Sequence, residues 1–174
     1  EQRTGFELSS WLDPERLDVP PWLWTSWRGR ARSIAEGLYR EAPLDLTMKP
    51  DAAVPEGGEI LPNGSVRFTA GTRVVELPGF EEGHFWVQDA AASMPARLLA
   101  PQAGQRIVDL CAAPGGKTAQ LAAAGADVIS VERDAGRAER LHENLRRLKL
   151  AATRVTADAE SWPPDSPAHA LLPA

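Results

Sequence analysis

The chain has one cysteine in 174 residues, Cys111, so an internal disulfide framework is excluded and a reducing compartment, the cytoplasm, is expected. Long apolar runs are missing too. No stretch of ~18 uninterrupted apolar residues exists to span a membrane, and the amino terminus shows no charged-then-apolar leader that would support secretion. An excess of positive charge is also lacking. The 19 Lys and Arg against 24 Asp and Glu leave a net charge of −5, so any contact with nucleic acid is expected to be local. No internal repeat is visible. Neither a membrane nor a metal is expected among the partners. What remains is a globular composition, 43% hydrophobic, with room for one ordinary domain or two small ones.

The most informative stretch is Asp109–Thr118, DLCAAPGGKT, after the apolar run Arg106–Leu110 and before the helix-forming run Ala119–Ala124, closed by Gly125. A strand turning sharply through Pro-Gly-Gly into a helix places backbone N–H groups and a positive helix end beside a ligand, as open α/β sheets do for nucleotide-like cofactors. A phosphate-binding P-loop needs glycine five residues before Gly116, where this chain has Cys111. The dinucleotide fingerprint needs three spaced glycines, and here only Gly115 and Gly116 are present, adjacent to each other. S-adenosylmethionine remains, since it carries no phosphate.

The carboxylates downstream fit that choice. Asp127–Arg133 reads as a second strand carrying Glu132, placed to accept hydrogen bonds from both ribose hydroxyls and to repel a 2′-phosphate. Thr153–Asp158 reads as a third strand ending in Asp158, placed for an adenine amino group. Asp109, Glu132 and Asp158 thus close three consecutive strands. The plainer alternative is acidic helix caps on an ordinary α/β domain.

The segments Val87–Leu99 (VQDAAASMPARLL), Asp109–Ala126 and Val131–Asp134 (VERD) resemble the RNA cytosine-5 methyltransferases of the Nop/Sun type, particularly those acting on bacterial small-subunit ribosomal RNA. The likeness extends upstream through Leu61–Phe68 and Glu76–Gly83. It implies cofactor contacts at Cys111, Ala112, Ala113, Pro114, Gly115, Gly116 and Lys117, at Glu132 (where the family often has Asp) and at Asp158. It also implies ribosomal RNA as partner and a Rossmann-like sheet. The family's fourth strand ends in a Leu-Leu-Asp-Ala-Pro-Cys type of motif, followed later by a second cysteine. This chain reads Ala170-Leu171-Leu172-Pro173-Ala174 instead. The expectation is a cofactor-binding half without the catalytic cysteines, hence no catalytic residue in this chain and a sheet edge open to self-association. Cys111 itself is expected to be a small buried residue under the turn. The alternative is a non-catalytic RNA- or cofactor-binding pseudoenzyme.

Three parts are expected. Residues 1–42 form a helical segment, in which Pro20-Pro21 starts a helix over Leu17–Glu41 with the stripe Leu23, Trp27, Ala31, Ile34 and Leu38. Trp11, Trp22, Trp24 and Trp27 crowd there as packing residues. Residues 43–88 form a small β-rich, RNA-contacting subdomain. Its runs are LDLTMK, EILP, SVRF and RVVEL, and the resemblance implies an RNA-recognition-motif-like layout. Phe68, Phe80, Phe85 and Trp86 are read as buried aromatics rather than base-stacking ones. Residues 89–174 form the first half of the methyltransferase domain, with Asp89 as a helix cap, Pro95 as a kink and a last strand at His169–Leu172. Right-handed crossovers put its first strand centrally. The basic stretch Arg137–Lys149 is read as a solvated helix face.

Overall fold

The computed structural model describes residues 18–162, so the strand expected at His169–Leu172, and Trp11, lie outside the described residues. The chain divides into two compact units, Glu1–Ala42 and Pro43–Ala174.

In the first unit the helix expected over 17–41 is interrupted. Helix α1 spans Pro21–Trp27 with Pro at its start, a 3-10 turn covers Arg28–Arg30, and α2 spans Ala31–Leu38. Arg28 closes α1 in the left-handed region at φ 53°, and Gly29 supplies no propensity to carry the helix across. Of the expected stripe Ala31 is buried, Leu23, Trp27 and Ile34 are half-buried and Leu38 is exposed, while Ala35, outside the stripe, is fully buried. The Tyr39 hydroxyl donates to Asp18.

The second unit begins with a four-stranded antiparallel sheet in the order β2-β3-β1-β4: β1 Leu44–Met48, β2 Glu59–Ile60, β3 Val66–Phe68 and β4 Phe85–Val87. Its register pairs Leu46 with Val66 on one side and with Val87 on the other. Leu46, Val66, Phe68 and Phe85 form its core, with Phe80 tilted against Phe85 at 6.2 Å. Buried Asp45 is held by a two-pronged ion pair with Arg67, both contacts 2.7 Å, and by the Ala90 N–H at 3.0 Å. The Arg67 guanidinium holds the Asp45 carboxyl below its ordinary range, against the opposing effect of burial. RVVEL, expected as a strand, is instead a 3-10 turn at Val74–Glu76. Val74 and Leu77, three residues apart, both pack on the sheet core, which a turn of helix permits and an extended strand does not. Phe68, Phe85 and Trp86 are buried, as expected.

Helix α3, Ala90–Leu99, follows. The Asp89 carboxylate accepts from the Ala91 and Ala92 N–H groups as its cap, and Pro95 lies inside the helix. A parallel three-stranded sheet then forms in the order β5-β6-β7: β5 Arg106–Asp109, β6 Asp127–Glu132 and β7 Thr153–Thr156. Two crossover helices join them, α4 Gly116–Ala123 and α5 Ala135–Arg147. Ile107, Val128, Leu121 and Ala96 pack into one cluster. Ala138, Leu141 and Leu145 turn the apolar stripe of α5 inward. The fold is thus α/β with a Rossmann-like parallel sheet. Among the described residues β5 is an edge strand, because the strand expected on its other side falls outside them.

Candidate cofactor site

Three parallel strands that all end on one side concentrate loop amides and strand-end carboxylates at a single rim. At that rim the loop 110–115 joins β5 to α4. Gly115 adopts φ 110°, a left-handed conformation, and an added Cβ would lie 2.6 Å from Leu141 Cδ1. Only glycine fits there. The helix that follows leaves its first amide N–H groups without intrahelical acceptors.

Side chains brace the loop from three directions. The Asp109 carboxylate accepts from Thr118 Oγ1 at 2.7 Å. Asn144 Nδ2 donates to the Pro114 carbonyl at 2.8 Å, and Arg137 Nη2 to the Ala113 carbonyl at 3.0 Å. Glu132 is buried, and its two oxygens accept from the Ala113 N–H at 3.3 Å and the Asp134 N–H at 3.1 Å, with Arg137 Nη2 3.7 Å away. The carboxylate therefore ties the loop to the start of α5. One amide per oxygen leaves further lone pairs free.

Cys111, Ala112, Ala113, Pro114, Gly116 and Lys117 line one cavity of about 210 Å³, together with Gln88, Asp89 and Ala92. Gly115, Glu132 and Asp158 are not among its lining residues. Asp158 is exposed two residues beyond β7, and its Oδ1 accepts from the Glu160 N–H at 3.0 Å. Cys111 is exposed, where a buried residue was expected, because its side chain borders the cavity instead of lying under the turn.

Gln88 was missed as a site residue. Its Oε1 accepts from Thr47 Oγ1 and from Trp86 Nε1, both at 2.9 Å, and its Nε2 donates to Gln120 Oε1 at 2.7 Å. A Cβ on Gly116 would touch it at 3.4 Å. The VQDAAASMP stretch drew notice by resemblance alone, since nothing in its periodicity marks Gln88. Among the described residues no group of acidic, histidine or cysteine side chains is arranged to hold a metal, and no helix is long and apolar enough to cross a membrane.

A parallel sheet with this loop at its rim has the layout of a Rossmann-like cofactor-binding core. The fold matches a methyltransferase homologue protein from Pyrococcus horikoshii with a TM-score of 0.67 and 21% identity, over 85% of this chain and 58% of that one. Residues 96–171 match the family described as 16S rRNA methyltransferase RsmB/F. The chain is similar to ribosomal RNA small subunit methyltransferase B of Vibrio cholerae, at 49% identity over 150 residues, 85% of this chain and 32% of that protein. It is similar to the same enzyme of Cronobacter sakazakii at 53% identity over 96 residues, 54% of this chain and 22% of that protein. The chain is thus a relative of the Nop/Sun-type rRNA methyltransferases. It spans between about a fifth and a third of the length of these curated relatives. S-adenosylmethionine is the cofactor that goes with this fold and family.

Proposed function

We propose that this chain contributes the S-adenosylmethionine-binding part of an RNA (cytosine-5) methyltransferase acting on ribosomal RNA in the cytoplasm. The observation that carries this reading is the loop Cys111–Lys117, fixed between a strand and a helix start and tied through the Ala113 N–H to buried Glu132. In this reading Cys111, Ala112, Ala113, Pro114, Gly115, Gly116 and Lys117 hold the cofactor's methionine part, and the spare lone pairs of Glu132 accept from the ribose. Asp158 receives the adenine amino group, and Lys117 borders the cavity as a cation for a carboxylate. Residues 43–88 contact RNA, residues 89–174 bind cofactor, and 1–42 form a separate helical segment. No metal takes part. Self-association through an open sheet edge is the expected state at high concentration, and Leu98, Leu99 and Leu110 are exposed among the described residues.

The bound cofactor supplies an activated methyl group. Carbon-5 of cytosine is too poor a nucleophile to take it until a thiolate adds to carbon-6. The only thiol among the 174 residues, Cys111, lies in the cofactor loop. The polypeptide of these residues therefore binds cofactor and transfers no methyl group by itself. That same lone thiol favours the second reading, a non-catalytic RNA- or cofactor-binding protein. The test is radiolabelled methyl incorporation into unmodified ribosomal RNA. No turnover is expected. Turnover abolished by Cys111→Ser would make Cys111 the nucleophile, and turnover that survives it would mean a different reaction.

A further inference from the structure

Three cations converge where α5 ends, and among the described residues none of them has a carboxylate at bonding distance. The Lys49 ammonium donates to the Leu148 carbonyl. Arg147 donates to the carbonyls of Phe80 at 2.6 Å and Phe85 at 3.1 Å, and its guanidinium lies 4.2 Å over the Phe80 ring. Lys149, exposed and in the left-handed region at φ 53°, follows directly. Every acceptor here is a neutral carbonyl, so hydrogen bonds are satisfied while the charge persists. Burial, and then the charges of Lys149 and Arg147, hold the Lys49 ammonium below its ordinary value. The one acid felt by Arg147 is Glu81, and burial outweighs it. Positive potential is thus concentrated at one point of a chain whose net charge is −5.

A cavity of about 350 Å³ is walled by Phe80, Trp86, Val87, Pro114, Asn144, Arg147 and Leu148. Lys49 holds the Leu148 carbonyl from outside that lining, and Lys149 follows Leu148 in the chain. Pro114 and Val87 also border the cofactor cavity. Asn144 gives one N–H of its amide to the Pro114 carbonyl, and its Oδ1 has no partner among the described residues. Aromatic and apolar walls, a free acceptor and adjacent cations together match an unstacked nucleotide, not a duplex, whose bases present no free face.

We propose that this groove holds one nucleotide of single-stranded RNA, its base against Val87 and the Arg147 guanidinium that covers Phe80, and its flanking phosphates on Lys49 and Lys149. The inference rests on the RNA reading above and gives that RNA a definite place next to the cofactor loop.

The test is fluorescence anisotropy of the 174-residue chain with a labelled single-stranded RNA and with the same RNA made abasic at one position, across a salt titration. Asparagine suits a left-handed position, so Lys149→Asn removes the charge without straining the backbone. It should weaken binding about three- to tenfold and lower the log–log salt slope by ~0.7, the value for one lost phosphate contact to a single strand. Lys49→Gln should add a similar change, and the abasic RNA should bind wild type at least about fivefold more weakly. Unchanged affinity and slope in both variants would overturn the site. Equal binding of abasic and intact RNA would overturn the base groove, and displacement by polyglutamate at equal charge would show an anion patch that reads no nucleotide. No cofactor is present in this assay, so failure of the cofactor reading is seen separately, in calorimetry.

Discussion

The two sheets of the second unit bury polar groups in opposite ways. In the antiparallel sheet, Asp45 lies inside the layer itself, and Arg67 and the Ala90 N–H give its two oxygens three donors. In the parallel sheet, the strands are Val- and Ile-rich along their length, and the carboxylates Asp109 and Glu132 stand at strand ends. There each braces a neighbour, Thr118 Oγ1 or the Ala113 N–H, and keeps lone pairs to spare. A buried charge with every partner inside the fold serves register and stability. A strand-end charge with capacity left over is available to a ligand. The comparison teaches that the position of a carboxylate along its strand, more than its burial, decides whether it is held within the sheet or braces the loops at its rim.

The junction between the two sheets offers the largest perturbation. Gly83 has φ 73°, and an added Cβ would lie 2.2 Å from the Arg147 carbonyl. Gly83→Ala combines that backbone clash with left-handed strain and should cost about 3 kcal/mol or more. A thermal melt showing less than about 1 kcal/mol would mean that the small sheet and α5 yield easily to each other. Next in size is Asp45→Asn, which removes the charge from both Arg67 contacts and should cost about 2 kcal/mol with little effect on cofactor binding. Its pH signature has a definite sign. The folded carboxyl titrates below its unfolded value, so its contribution is complete above pH ~4 and disappears as pH falls through the folded value. Wild type should therefore lose its stability advantage over Asp45→Asn as the pH is lowered from ~4. An advantage that does not shrink at all below pH ~4 would dissociate the Arg67 pair from stability. Thr118→Val, which leaves one Asp109 oxygen without its hydroxyl, should be the mildest at about 1 kcal/mol. Its effect should be sharper on cofactor affinity than on melting. The reverse order would make Asp109 a structural acid like Asp45.

Much of the parallel sheet was legible because its strands are short β-branched runs separated by helical stripes, and because Pro114-Gly115-Gly116 allows little but a sharp strand-to-helix turn. The antiparallel sheet was less so. Phe85–Val87 is a three-residue strand whose partner, β1, lies some forty residues earlier, and RVVEL carries strand propensity but coils to put Val74 and Leu77 on the same core. Glu132 was legible as a strand-end acid. That its oxygens already hold the Ala113 and Asp134 amides was not, since the first of those contacts is made across a turn whose path the sequence does not specify. The same holds for Gln88, whose role depends on Thr47 and Gln120, both far away in sequence.

The central claim is that Glu132, unlike Asp45, has lone pairs reserved for the cofactor. Titration calorimetry with S-adenosylmethionine on wild type, Glu132→Ala and Asp45→Asn tests it most directly, with circular dichroism confirming that each variant is folded. The account predicts binding by wild type, a loss of about 1–3 kcal/mol in Glu132→Ala, and unchanged affinity in folded Asp45→Asn. Absence of binding by folded wild type, or equal affinity in Glu132→Ala and wild type, would contradict it.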